Sequence, residues 1–581
     1  MDCQTQAHKQ WLIRRADPVL STEISRKLNI SPAAAQILVN TGISSVSEAY
    51  SFLNPSLEQL FDPFLMKEMD IAVNRILRAI QEKEKICIYG DYDVDGISST
   101  AILHSLLNRL GATFICYVPD RIDEGYGFNK DAIDEIAAKD VSLLISVDCG
   151  STDFTEVDYL NSRNIDVVIT DHHELADELP RAVAVINPKI PDCPYPFHEL
   201  SGAGVALKLA WALAERSRMR TMSPETFSEY IRESMAFAAL GTVADIVPLK
   251  NENRILVHYG LKALRKTTHP GLRAIMDITS INTNNPIRTE DITYKIAPRI
   301  NAAGRLGRTE LALKLFTTDT FKEAYDIADH LDKTNKERQK IGKTIFDEVS
   351  SQYDGDESKR TIILTGEGWH KGVIGIVASK IAEKYFRPTV IVSFSENIGQ
   401  GSARSIPGFH IFDALTNCAS HLMKFGGHAA AAGIQIDKKN LDTFKEALER
   451  EAVDQLRDED LIPTIHIDGE LQLPMLTLDL HKEISSFGPF GNQNRRPLLL
   501  CRNLKIIGSP RLIGRASRHL EFKATSGGKV RKAVGFGMGD RIDELKKIRA
   551  NCDVVFQLMY NDWGGYPSVE MMVYDFRPGR A

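Results

Sequence analysis

The feature that most constrains this chain is a series of short, almost uninterrupted apolar runs between residues 85 and 186: Lys85-Ile86-Cys87-Ile88-Tyr89, Val141 to Val147, Ile165 to Thr170 and Ala182 to Ile186. A strand covered on one face alternates apolar and polar residues, whereas strands covered on both faces read as continuous apolar runs. Between these runs lie stretches with helical spacing, such as Thr100-Ala101-Ile102-Leu103-His104-Ser105-Leu106-Leu107. Strand and helix in alternation predict a mostly parallel α/β sheet. The runs also share an ending. Gly90-Asp91-Tyr92-Asp93-Val94-Asp95-Gly96 follows the first, Asp148-Cys149-Gly150 the second and Asp171-His172-His173-Glu174 the third. Open α/β sheets bind ligands just beyond the carboxyl ends of their strands, so these groups are expected to converge on one crevice. A later helix-like segment, Gly241 to Pro248, brings Asp245.

Carboxylates packed this densely raise one another's pKa, and a divalent cation is the simplest remedy. An Asp-x-Asp by itself says little, because turns are rich in aspartate. All-oxygen sites suit Mg²⁺ or Ca²⁺, and added imidazole without thiolate widens the choice to Mn²⁺, Fe²⁺ or Zn²⁺. Cys149 follows Asp148 on the opposite side of the strand and reads as core.

Residues 1–75 lack a clear strand and read as short helices and turns. The first α/β domain then runs from 76 to 270, and a connecting segment, 271–355, contains a long helix from Thr320 to Gln352 with Ile327, Leu331, Ile341 and Ile345 along it. A second α/β domain, 356–457, has strands at Arg360 to Leu364 and Pro388 to Val392. From 458 to 581 the pattern turns to short strands (Ile465 to Ile467, Leu498 to Cys501, Leu520 to Lys523, Val554 to Leu558, Ser568 to Val573), which predicts a small antiparallel barrel. Of 581 residues 43% are apolar and 25% charged, which excludes long disorder, collagen and rod-like coiled coils. The N-terminus has no apolar signal region, and nowhere do enough apolar residues run together to span a bilayer, so a soluble, cytoplasmic protein without membrane contact is expected. Eight scattered cysteines (Cys3, Cys87, Cys116, Cys149, Cys193, Cys418, Cys501, Cys552) form no C-x-x-C pair, and reduced thiols are expected.

The net charge is −6, unevenly spread: between Arg495 and Lys532 eleven basic residues face a single acid, Glu521. That window, with Arg511, Arg515, Arg518 and Lys523, is either a polyanion-binding groove or a solvated strand face.

The residues now carry a resemblance. Asp91-Tyr92-Asp93-Val94-Asp95, Asp148, Asp171-His172-His173 and Asp245, in that order, resemble the four motifs of the DHH phosphoesterase superfamily. Trp369 to Ala378, Gly401-Ser402-Ala403-Arg404-Ser405 and Gly426 to Gly433 resemble its associated DHHA1-type domain. Glu124 to Asn129, Pro298 to Arg305 and Pro489 to Pro497 are similar to signatures of the RecJ branch, whose barrel is an OB-fold. The resemblance spans roughly residues 60 to 575. It implies a catalytic set of Asp91, Asp93, Asp95, Asp148, His172, His173 and Asp245. Of these, Asp93, Asp95, Asp148, His172 and Asp245 would bind two divalent ions, Mn²⁺ or Mg²⁺, with Asp148 the bridge. Asp93-Val94-Asp95-Gly96-Ile97-Ser98-Ser99 fits the family register better than a pair starting at Asp91, which leaves Asp91 as a supporting group or extra ligand. His173 would contact the scissile phosphate or support the ligands.

Substrate binding would fall to Arg299, Asn301, Arg305, Arg404, Ser405, Gly427 and His428. Without the family, a turn with a surface histidine describes Gly427-His428 as well, and a salt bridge to the acidic helix competes for Arg299 and Arg305. Two positions depart from the pattern: Tyr89 stands where many members have histidine, and Arg308 where an acidic residue is common. The implied activity is 5′→3′ exonucleolytic hydrolysis of single-stranded DNA, releasing nucleoside 5′-monophosphates in recombination and repair, by a monomer working beside a single-strand-binding protein and a helicase. The alternatives are a phosphodiesterase of cyclic dinucleotides or short oligoribonucleotides, which the extra basic barrel disfavours, and a non-catalytic replication scaffold, which has no need of self-repelling carboxylates.

Overall fold

The chain opens with a strand where the sequence suggested none. In the computed structural model, which describes residues 9–121, 124–217, 224–562 and 565–579, β1 (Gln10–Ile13) is followed by α1 (Pro18–Leu28), α2 (Pro32–Asn40) and α3 (Val46–Leu53). Cys3 and Trp563 lie outside the described residues. Each helix starts on a side-chain cap, from Asp17, Ser31 and Ser45, and Pro occupies the first turn of α1 and α2, where its missing N–H is no loss. The chain divides into two units, one built from 61–247 and 259–463, the other from 9–60, 248–258 and 464–581.

In the first unit, α4 (Met69–Glu82) leads into β2 (Lys85–Gly90), α5 (Val94–Arg109), β3 (Thr113–Tyr117), α6 (Lys130–Ala137), β4 (Leu143–Val147), α7 (Phe154–Ser162), β5 (Asp166–Thr170) and β6 (Ala184–Ile186). The sheet is entirely parallel in the order β3-β2-β4-β5-β6. Cys87, Tyr89, Leu144 and Val167 pack with Ile133 and Leu160 of α6 and α7. α5, α8 (Gly202–Arg216) and α9 (Pro224–Ala244) pack on one another, with α5 against β2 and α8 against β4 and β5. Helices on both faces explain why the runs are apolar at successive positions. The register sets Gly90 beside Val147, Val147 beside Thr170 and Thr170 beside Ile186. The next residues, Asp91, Asp148, Asp171 and Asn187, therefore leave the sheet in one row.

Next come α10 (Asn251–Arg265), α11 (Pro270–Ile278), the single turn α12 (Thr289–Asp291) and a π-helical turn at Ile292–Ile296. They are followed by α13 (Ala297–Arg305), α14 (Thr309–Thr317) and the long α15 (Phe321–Gln352). The last matches the expected connecting helix to one residue. The second sheet comprises β7 (Ile362–Glu367), β8 (Thr389–Ser395), β9 (Ile398–Arg404), β10 (Lys424–His428) and β11 (Ala431–Asp437), ordered β10-β11-β9-β8-β7, with α16 (Lys371–Tyr385), α17 (Ile411–Asn417) and α18 (Leu441–Gln455). Only β7 and β8 were legible. The others are rich in glycine, alanine and serine, poor strand formers held by pairing rather than propensity.

In the second unit, β12 (Thr464–Ile467) pairs, among the described residues, with β1 alone, in parallel, so the stretch assigned to the barrel from sequence lies outside its sheet. β13 (Gly469–Glu470) and α19 (Leu478–Ser486) precede the barrel strands β14 (Leu499–Ile513), β15 (His519–Ser526), β16 (Lys529–Gly535), β17 (Cys552–Asn561) and β18 (Ser568–Pro578), with α20 (Ile542–Lys547) between β16 and β17. Pairing of β14 with β17 closes the barrel. Ile24, Ile37 and Leu38 of the N-terminal helices share one core with Leu504, Phe522 and Phe556. The seven described cysteines are all free thiols. No helix of the described residues is long and apolar enough to cross a membrane.

Candidate metal centre and substrate-binding residues

Each acidic group is fixed by local backbone chemistry. Asp93 caps α5, its Oδ1 accepting from the Asp95 and Gly96 N–H groups at 2.8 and 3.2 Å. In the first turn of the same helix, Asp95 faces the N-terminus of α8 and accepts from Gly202 N–H at 2.7 Å and Ala203 N–H at 2.9 Å. Donors at a helix N-terminus favour a carboxylate there. Two glycines make the room: a Cβ on Gly202 would fall 2.4 Å from Asp148 Oδ1, and one on Gly241 2.1 Å from Asp95 Oδ1. Asp148 leaves β4 with φ of +66°, and Ile246, directly after Asp245, takes φ of +62°. That conformation is rare for a β-branched residue, and strain of this kind gathers at functional sites.

The side chains meet in overlapping groups. Asp91, Asp93 and Asp148 have ligand atoms within 4.8 Å of one another, as do Asp95, His172 and Asp245, and Asp148, His172 and His173. His172 Nε2 lies 3.1 Å from Asp148 Oδ1, 3.6 Å from Asp245 Oδ2 and 3.7 Å from Asp95 Oδ2. Its other ring nitrogen bonds the Leu200 carbonyl, which leaves Nε2 with a lone pair aimed at three carboxylates. Asp91 Oδ1, Asp148 Oδ1 and His172 Nε2 are buried without a hydrogen-bond partner. Orphaned lone pairs facing one another repel, and a cation among them resolves that repulsion. The donor set of carboxylate oxygens and imidazole fits Mn²⁺ or Mg²⁺. Asp91 stands among these groups, nearer to a ligand position than the sequence register suggested.

The electrostatics agree. Burial and the Asp93 charge push Asp95 up to about 7. Burial with Asp95 and Asp93 pushes Asp245 up to about 8, and Asp148 and Asp91 are raised for the same reasons. Burial and the neighbouring His173 charge lower His172 to about 3, keeping it neutral. Burial opposes protonation of His173, but its bond and charge pairing with Asp171 outweigh this and raise it to about 9.

Sequence reasoning quoted Asp171 and Tyr126 within motifs but gave them no role. Asp171 accepts from the His172, His173 and Ser151 N–H groups and pairs with His173 Nδ1 at 2.8 Å, so it holds the loop rather than facing the centre. Tyr126 Oη lies 2.9 Å from His173 Nδ1 and donates to the Asp148 carbonyl at 3.3 Å. Tyr89, the departure from the family pattern, is fully buried and donates to Gly127 O at 2.9 Å, supporting that loop and not the centre. Cys149 is core.

Among the substrate-binding candidates, Arg404, Ala431 and His428 fall in one cross-strand row. Arg404 is half-buried on Ser379, Ser402 and the Ala403 carbonyl, with no carboxylate partner among the described residues. Arg305 donates to Gly372 O at 3.0 Å, and burial with the charges of Arg121, Arg338 and Arg404 lowers it to about 9. Arg299 binds Asp332 at 2.8 Å, the helix salt bridge foreseen as its competing role. Asn301 Oδ1 accepts from Val94 N–H at 3.2 Å, so it braces the first turn of α5. The Ser405 hydroxyl donates to Phe409 O and closes a turn. Gly427 allows close strand pairing, since a Cβ there would fall 2.4 Å from Ala431 O.

In the barrel, Arg511, Lys523 and Lys532 share a face with Glu521, which Arg511 and Lys532 both pair, while Arg515 and Arg518 are exposed beyond β14. Lys523 stands opposite Lys532, whose charge is met by Glu521 at 3.2 Å and Glu570 at 3.5 Å. Of the aromatics, Phe490 and Phe522 are core, whereas Phe536 and Tyr566 are exposed.

Residues 85–242 match the DHH family, N-terminal domain; 358–454 match the DHHA1 domain; and 467–575 match the RecJ OB domain. The chain is 35% identical to the single-stranded-DNA-specific exonuclease RecJ of Bacillus subtilis, over 97% of this chain and 70% of that one. It is 32% identical to the Haemophilus influenzae protein of the same name, over 90% of this chain and 93% of that one. The crystal structure of RecJ in complex with Mn²⁺ from Thermus thermophilus superposes with a TM-score of 0.83 at 29% identity, covering 98% of this chain and 80% of that one. A structure of the same protein has been solved with Mg²⁺. With all three domain types present in order, and with that identity over nearly its whole length, the chain belongs to the RecJ family of DHH phosphoesterases.

Proposed function

We propose that this protein is a metal-dependent exonuclease that hydrolyses single-stranded DNA from its 5′ end and releases nucleoside 5′-monophosphates. The observation that carries the reading is the buried cluster of mutually repelling carboxylates around an unpartnered imidazole nitrogen, a design that makes sense only when cations fill it. Asp91, Asp93 and Asp148 would hold one cation and Asp95, His172 and Asp245 the other, with Asp148 between them. Bound divalent ions supply Lewis acidity, providing a deprotonated water at neutral pH and offsetting charge on the phosphoryl oxygens.

The chain's own groups do the rest. His173 is held at Nδ1 by Asp171 and Tyr126, and the Asp171 carboxylate favours the protonated ring, whose Nε2–H would be a donor for a phosphoryl oxygen. Arg404 and Arg305, with Arg121 stacked 5.0 Å from the Tyr92 ring centroid, offer planar donors to backbone phosphates. The barrel face with Arg511, Arg515, Arg518 and Lys523, beside exposed Phe536, supports sequence-tolerant strand binding. To the same reading belong, as expectations from the family, a cytoplasmic monomer that works with a single-strand-binding protein and a helicase in recombination and repair.

The test is a time course on end-labelled single-stranded DNA, duplex DNA and short RNA, with Mn²⁺, Mg²⁺ or EDTA, beside Asp148→Ala. Metal-dependent release of mononucleotides from 5′-labelled single strands, lost in the variant, is the expected result. Intact long DNA with cleaved dinucleotides would replace the reading by a small-substrate phosphodiesterase, and binding without cleavage would replace it by a scaffold.

A further inference from the structure

The strands β2, β4 and β5 each hand an aspartate to the end of the sheet, but β6, the last in the row, hands over an asparagine that neither the motifs nor the metal centre accounts for. Asn187 follows directly on Ile186, which pairs with Thr170, and it is 1% exposed. Its side-chain oxygen accepts from Lys189 N–H at 2.9 Å and closes the turn that leaves the sheet. Its side-chain nitrogen carries two donors, and both are spent on neighbouring loops. One reaches Ser151 Oγ at 3.1 Å in the loop after β4, the other the His173 carbonyl at 3.0 Å in the loop after β5.

These bonds converge on His173. Its N–H donates to Asp171 Oδ1 at 3.2 Å and its carbonyl accepts from Asn187, so the backbone is gripped on both sides of the residue. Ser151, which Asn187 holds through its hydroxyl, donates its own N–H to Asp171 Oδ2 at 3.0 Å. The carboxylate that pairs with Nδ1 of the His173 ring is thus itself kept in place by a residue that Asn187 ties down. Among the described residues the side-chain bonds of Asn187 go to Ser151, His173 and Lys189, and to none of the proposed metal ligands. An aspartate, the residue that follows the other three strands, could not do this. The His173 carbonyl only accepts, so a carboxylate facing it would oppose two acceptors beside a site already crowded with negative charge, whereas an amide supplies two donors and no charge.

We propose that Asn187 is a positioning residue for His173: it fixes the backbone from which the imidazole reaches the scissile phosphate and holds no metal itself. The proposal rests on the nuclease reading above. Asn187→Asp keeps the size and the acceptor for Lys189 N–H but lacks both donors; Asn187→Ala lacks all three bonds without adding a charge, and carries the test if the first variant fails to fold. A small displacement of a reacting group is enough to cost about a hundredfold, so kcat on single-stranded DNA should fall about thirtyfold in either variant, while KM and the Mn²⁺ dissociation constant from calorimetry each stay within about threefold. In metal-free protein, hydrogen exchange at the His172 and His173 amides should quicken about tenfold and stay at the wild-type rate in β2 and β4. An unchanged kcat would overturn the proposal, as would a Mn²⁺ affinity that falls as far as kcat, which would make Asn187 a support of the metal ligands instead. Exchange at His172 and His173 that is unaltered, or that quickens equally in β2 and β4, would overturn it too. A wild-type chain that leaves single-stranded DNA intact would overturn the nuclease reading itself, while the exchange rates would still report whether Asn187 holds the His173 backbone, so the two failures are distinguishable.

Discussion

Asp148 is where the two halves of the carboxylate cluster meet: it lies with Asp91 and Asp93 on one side and 3.1 Å from the shared imidazole nitrogen on the other. Burial and four neighbouring carboxylates hold its proton tightly. Asp148→Asn removes the charge while keeping the shape. Activity is expected to fall by a thousandfold or more, on the order of what losing a bridging ligand removes from two-metal catalysis. In EDTA, however, the variant should melt higher than the wild type, because a repelling carboxylate is gone. Nuclease assays and thermal melts on the same preparation check both halves; a lower melting temperature in EDTA would mean that Asp148 supports the fold by some other route. Asp148, His172 and Asp245 were legible because each follows directly on an apolar run or helix that could be read locally. Tyr126 was not assigned a role, because its partners Asp148 and His173 lie 22 and 47 residues away and no local pattern encodes that distance; Asp171 was not, because sequence does not show that its carboxylate turns back onto its own loop.

At the scale of elements, the start of α5 carries both Asp93, its cap, and Asp95, so its geometry sets two of the proposed metal ligands at once. That turn is braced from α13: Asn301 Oδ1 takes the Val94 N–H, one of the donors that a helix start leaves without a partner. Asn301→Ala should cost about 1 kcal/mol of stability. It should also raise the metal concentration needed for half-maximal activity, measurable by Mn²⁺ titration, whereas a residue serving substrate alone would shift the DNA dependence and leave the metal titration unmoved. The α/β elements with strong periodicity, β2, β4, β5 and α15, were readable. β9, β10 and β11 were not, because Gly401 to Ser405 and Gly426 to Gly433 have the composition of loops. Cross-strand pairing makes them strands, and the register then sets Arg404 and His428 in one row.

For the whole molecule, the buried carboxylates couple folding to pH and to metal. Unfolded aspartates titrate near about 4, whereas Asp95 and Asp245 hold protons up to about 7 and about 8 in the fold. A proton held more tightly by the folded chain stabilises it fully below the unfolded pKa, and that stabilisation is lost as pH rises through the folded values. Metal-free protein should therefore melt at progressively lower temperature from about pH 4 to about pH 8. Divalent metal binds the deprotonated form, so the rise in melting temperature on adding Mn²⁺ should be largest at the alkaline end. Parallel melts in EDTA and in excess Mn²⁺ across this range test it; an EDTA series that rises with pH would show that the cluster does not govern stability.

The sequence by itself determined the parallel sheet, the long connecting helix, the barrel and the ring of Asp and His at the strand ends, because periodicity and strand-end position are local properties of the chain. What only the tertiary structure decided was register and company. It set Asp91, Asp148 and Asp171 in one row, turned Asp171 inward as a support, gave Tyr89 to the core and Asn301 to the α5 cap, and joined the N-terminal helices to the barrel core. Those outcomes depend on which distant groups satisfy each buried donor, acceptor and apolar face, a competition settled only when the whole chain packs.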